Sequence, residues 1–179
     1  MFNADGNCVR SFLHRGPAFA LAVIICLCLG DGNTRAEEAS AELAREHLYA
    51  GTLAPGEAVL AAKVDADGGD REARFGLGLV RFALAVEHFA QSLYRYGLAP
   101  PKTLSVPLLR FPVPTNPTPE PTTYQAFRDI LKVFDDDLAS AEKGLQNVGD
   151  GEVAIVVDLA RVRFDLRRDG RAADDESLA

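Results

Sequence analysis

Apolar positions recur along this chain in three rhythms: helical spacing, one unbroken run, and strict alternation. From Phe75 the series Phe75, Leu79, Phe82, Val86, Phe89, Leu93, Tyr96 repeats at steps of 4, 3, 4, 3, 4 and 3. Those steps return each side chain to one face of an α-helix. Gly97 and Pro100-Pro101 close the seam. A second seam runs Tyr124, Phe127, Leu131, Phe134, Leu138, Ala141, Leu145 at steps of 3, 4, 3, 4, 3 and 4. Two apolar seams of matching length predict an antiparallel helix pair, each covering the other. Upstream, Ala41, Ala44, Leu48 and Gly51 form one stripe, with Leu43, His47 and Ala50 beside it. This predicts a shorter amphipathic helix from Glu37 to Ala50, with Glu37 and Glu38 at its favourable end. Gly51-Thr52 stops it, and Pro55 suits the start of a short helix reaching about Val64. Asp67-Gly-Gly-Asp70 is a turn, and Asp70 is a natural N-cap for the first long helix.

Between the seams, residues 98–122 hold eight of the ten prolines. Proline removes a donor and fixes φ, so neither helix nor central strand fits here. Leu104, Val106, Leu108, Leu109, Phe111 and Val113 are too apolar for a free linker. The first half therefore reads as a strap packed on the helices, and Thr115 to Pro121 as a stiff polyproline-type approach to the second long helix. Beyond Gly151 the β-branched run Val153–Val157 favours a strand. So does the alternation of Val162, Phe164 and Leu166 with Arg161, Arg163 and Arg167. A short helix from Asp158 to Phe164 competes with that reading.

Two segments resemble known motifs. In residues 43–80, Gly51 ends one helix and Asp67-Gly-Gly-Asp70 stands at a turn. Ala73, Leu77 and Gly78 then follow at the small and apolar positions of the next helix. This resembles about one tetratricopeptide (TPR) repeat, although the turn lacks its proline. The resemblance implies closely packed helical hairpins, with Gly76 and Gly78 allowing near approach, and grooves that take a peptide or protein.

The second segment, Asp165-Leu-Arg-Arg-Asp169-Gly170-Arg171-Ala-Ala-Asp-Asp-Glu176, is similar to the twelve-residue calcium loop of EF-hands, D-x-[DN]-x-[DN]-G-x5-E. The resemblance implies ligands from Asp165, Asp169 and Glu176, a backbone carbonyl from Arg171, and a sharp turn at Gly170. It also implies a helix entering the loop, which tips the choice for Asp158–Phe164 towards helix. Arg167 stands at the third position, where an oxygen ligand belongs, Ala172 replaces the usual branched residue, and no second loop is present. Any calcium affinity is therefore expected in the weak range of about 10⁻⁴–10⁻³ M.

Composition adds an address. All three cysteines, Cys8, Cys26 and Cys28, lie in the first thirty residues, in and around the apolar run Ala18–Leu29. Arg10 and Arg15 precede that run, and small or polar residues from Gly30 to Ala36 follow it. This is the layout of a secretory signal peptide, and it falls short of the ~20 apolar residues of a membrane helix. Cleavage after Ala36 fits best, with Gly30 or Gly32 as other exits. An uncleaved tether is the alternative. Cleavage shifts the formal net charge from −7 to about −8, which disfavours nucleic acid and anionic membranes as partners. The mature chain then has no cysteine, so one ordinary domain is held together by packing, alone or helped by a metal.

Candidate chemistry is sparse. His47 and His88 each follow a glutamate, but neighbouring helical residues point about 100° apart, so neither pair chelates. Asp135-Asp136-Asp137 sits on the solvent side of its seam. No serine carries nucleophile-elbow glycines, and Gly76-Leu-Gly78 lies inside a helix without a preceding strand. The expectation is an all-α protein with a signal peptide over 1–36. A TPR-like hairpin and two long antiparallel helices joined by a proline-rich strap occupy 37–150. A degenerate EF-hand-like segment follows over 151–179. The expected role is an exported, non-enzymatic interaction or scaffolding module, periplasmic or secreted, with a calcium-stabilised structural domain as the alternative.

Overall fold

The computed structural model describes residues 38–98, 113–150, 152–173 and 176–177. The expected signal peptide, the strap through Phe111, and Asp174 and Asp175 lie outside the described residues. The chain is all-α: among the described residues there are four α-helices and no strand. They are α1 over 38–50, α2 over Leu53–Ala66, α3 over Arg71–Arg95 and α4 over Tyr124–Gln146. No helix among the described residues is long and apolar enough to cross a membrane.

The ends of these helices follow from short polar side chains. Asp70 begins α3 by accepting the Ala73 N–H at 2.8 Å, as an N-cap does. Its second carboxylate oxygen accepts the Ser40 hydroxyl at 2.7 Å, so one buried residue both starts α3 and ties α1 to it. Thr123 caps α4 through its hydroxyl oxygen and the Ala126 N–H at 3.1 Å.

Helix α3 is central and packs against both α2 and α4. Glu57 of α2 meets Arg81 at 2.8 Å. On the other side Phe89 stacks on Phe134 with centroids 4.5 Å apart, while Leu145 lies over Gly78. Both pairings run antiparallel. A Cβ added at Gly78 would lie 2.5 Å from Leu145 Cδ2, and one at Gly76 would lie 2.9 Å from Ala44 Cβ. Glycine at these positions sets the interhelical spacing on both sides of α3.

The buried face of α3 differs from the seam that large residues predict. Ala73, Leu77, Val80, Ala83, Leu84, Glu87 and Ala90 are buried, whereas Phe82 is 46 % exposed. Val86 and Leu93 are buried as expected, and the remaining seam residues are half-buried. A helix squeezed between two neighbours needs small residues at the points of closest approach, so its bulkiest residues move to the flanks. In α4, Ile130 and Ala141 are buried, while Tyr124, Phe127 and Leu131 are exposed. The first turns of this seam face outwards.

The C-terminal segment corrects one expectation. The helix expected from Asp158 to Phe164 is only a 3-10 turn, Leu159–Arg161, capped by the Asp158 carboxylate and the Ala160 N–H. The chain then runs extended and inserts Val162, Phe164 and Leu166 into the helical core, at 4 %, 3 % and 0 % exposure. Alternation governs this stretch, because a two-residue period lets one edge reach the core while Arg161 is exposed and Arg163 and Arg167 are half-buried.

Candidate functional site

The C-terminal loop closes on its own backbone. Phe164 N–H donates to the Glu176 carbonyl at 3.1 Å, and Arg163 pairs with Ser177 in a single antiparallel bridge. Asp165 Oδ1 accepts the Asp169 N–H at 3.0 Å, and its Oδ2 accepts the Gly170 N–H at 2.8 Å. Asp169 in turn accepts the Arg171 N–H at 3.0 Å. Gly170 has φ 84°, and Arg168 takes φ 57°, a conformation unusual for a residue with a side chain.

Glu176 is fully buried. Its Oε1 accepts the Arg167 N–H at 3.1 Å, and its Oε2 accepts the Ala173 N–H at 2.8 Å. The guanidinium Nη1 of Arg167 lies 3.2 Å from the same Oε1. The loop thus places a cation of its own chain against this carboxylate. Among the described residues no three His, Cys, Asp or Glu side chains converge as metal ligands. His47 bonds instead to Thr52 Oγ1 at 2.8 Å, and His88 to Asp137 at 3.0 Å. Asp137 therefore faces α3, unlike its exposed neighbours Asp135 and Asp136.

This loop forms one wall of a cleft of about 750 Å³. Helix α3 supplies Glu87, His88, Gln91, Ser92 and Arg95, while Asn116, Thr118 and Glu120 of the proline-rich approach form the opposite side. Arg167 and Arg168 reach in from the loop. The loop is fastened to α3 at one residue by two bonds. Asp165 N–H donates to Glu87 Oε2 at 2.8 Å, and Gln91 Nε2 donates to the Asp165 carbonyl at 2.7 Å. The approach is fastened by Asn116 Nδ2 on the Tyr94 carbonyl at 3.0 Å and by the Arg95–Glu120 ion pair at 2.8 Å.

Glu87 is 7 % exposed. Burial pushes its carboxyl up to about 7, with the Asp165 N–H opposing the rise and the Asp165 carboxylate adding to it. Along the sequence Glu87 stands out only as the glutamate before His88. A signal was present: Leu77, Val80, Leu84, Glu87 and Gln91 share one stripe at steps of 3, 4, 3 and 4. An acid and an amide at apolar positions of a helix mark a polar contact inside the fold.

Serine, histidine and carboxylate side chains all line the cleft. Ser92 Oγ donates to the His88 carbonyl of its own helix at 2.8 Å, while the imidazole faces Asp137. No known protein family matches the chain, and no curated protein or solved structure shows significant similarity to it.

Proposed function

We propose that the chain is an exported, non-enzymatic binding module whose peptide ligand enters the cleft between α3, the proline-rich approach and the C-terminal loop. The observation that carries this reading is the cleft itself. Its volume of about 750 Å³ falls within the ~300–1,000 Å³ of ordinary ligand sites, and three segments far apart in sequence are each tied down to form its walls. The TPR resemblance of the α1–α2 hairpin and the start of α3 supports a peptide-binding role. Export rests on the Ala18–Leu29 run.

Binding rather than turnover is favoured because most of the cleft's ionisable groups are already engaged. Arg95 pairs with Glu120, Arg167 with Glu176 and His88 with Asp137. Arg168 lines the cleft and forms no ion pair among the described residues, which suits an acidic side chain on the ligand. Peptide display against the wild type and against Ser92→Trp, which fills the cleft, tests the reading. The expected result is a set of Asp- and Glu-rich peptides held by the wild type and lost on the variant. Peptides that bind both equally, or none at all, would overturn it.

A further inference from the structure

Arg167 stands at the third position of the loop, where the EF-hand resemblance implies an oxygen ligand for calcium. A cation there repels a bound dication at close range, so the residue is incompatible with the role that the pattern assigns to its position. The structure shows where that charge goes. The Arg167 guanidinium lies 3.2 Å from Glu176 Oε1, and the Glu176 side chain is 1 % exposed.

A carboxylate withdrawn from water needs a compensating charge or several hydrogen bonds. Glu176 has both. Two backbone N–H groups meet its two oxygens, and the guanidinium supplies the positive charge. Asp165, the first residue of the loop, turns both oxygens to backbone N–H groups within the loop and leans by its own N–H on Glu87. Both oxygens of Asp165 and both of Glu176 are thus engaged by the chain itself.

We infer that Arg167 is the built-in cation of this loop: its guanidinium takes the place that calcium has in the motif, so the C-terminal segment closes on Glu176 without a metal. This is independent of what the cleft binds. It gives the arginine at position three a purpose, and it makes the shape of the cleft's loop wall insensitive to the calcium of an extracellular medium.

Hydrogen exchange on the full chain tests the inference at three amides: Phe164, Ala173 and residue 167, all of which donate to Glu176. In the wild type their protection is expected to be equal in millimolar calcium and in EDTA. In Arg167→Gln the protection in EDTA should fall about tenfold or more, the scale of a lost charge-assisted bond. Arg167→Lys keeps the charge and should retain most of it, while helix content stays unchanged in both variants. Calcium-dependent protection in the wild type would overturn the inference, because an ion would then be holding the loop. So would unchanged protection in Arg167→Gln.

Discussion

Glu87 shows how a single buried acid can make folding depend on pH. Its carboxyl titrates near 7 in the folded chain against an ordinary value of 4.5, mainly because burial disfavours the charge. Between those values the folded state binds more protons than the unfolded state. The contribution to stability is therefore fully present below about pH 4.5 and is lost as pH rises through about 7. The span corresponds to at most on the order of 3 kcal/mol. Glu87→Gln keeps an oxygen for the Asp165 N–H and removes the titration. Urea unfolding should therefore show the variant gaining on the wild type between pH 4.5 and pH 8, since the other titrating groups are common to both. An equal difference at both pH values would mean that Glu87 is not desolvated in the folded chain.

At the level of elements, the expected helix pair exists, but the residues that join it are not the ones whose size draws attention. Phe82 is 46 % exposed, so Phe82→Ala should cost no more than about 1 kcal/mol. Phe134→Ala breaks the stack on Phe89 and should cost about 2–3 kcal/mol, below the full core value because the ring is half-buried. Gly78→Val should cost more than either, since its side chain must enter the space of Leu145, and thermal unfolding of the three variants should give that order. The helical spacing of both seams, the Asp70 cap and the stop at Gly51 were all legible along the chain, because each depends on residues within one or two turns. The true buried stripe of α3 was less legible. It depends on having neighbours on two sides, a property of the tertiary arrangement that favours Ala and Gly over Phe. The same limit hid the cleft. Glu87, Gln91, Asn116 and Arg168 are spread over one turn of α3, a proline-rich stretch and the C-terminal loop, and no local pattern joins them. Asp165, Asp169 and Glu176 were visible because they lie within one loop, yet the partner of Glu176 emerged only from the fold.

Across the described residues as a whole, the helices and the C-terminal segment share one core. Val162, Phe164 and Leu166 pack in the same apolar cluster as Leu48, Leu53, Leu60, Val80 and Leu84. Ala172 is also seated on Gly51, where any Cβ would collide with it. All three cysteines precede residue 30, so no disulfide secures this segment, and its attachment depends on buried area and on the clamp at Asp165. Loss of the segment should therefore weaken the helices as well as the loop. Leu166 is 0 % exposed, and Leu166→Ala should cost about 2–5 kcal/mol. Because the cluster is shared, that cost should appear twice. The helical melting temperature should fall, and trypsin should cut faster at Arg161, Arg163, Arg167, Arg168 and Arg171 under native conditions. If opening of the tail is part of global unfolding, the two effects will agree when expressed as free energies. Faster cleavage with an unchanged helical melt would show instead that residues from Glu152 onward form a separable appendage, and that the cleft they wall can open while the helices stay folded.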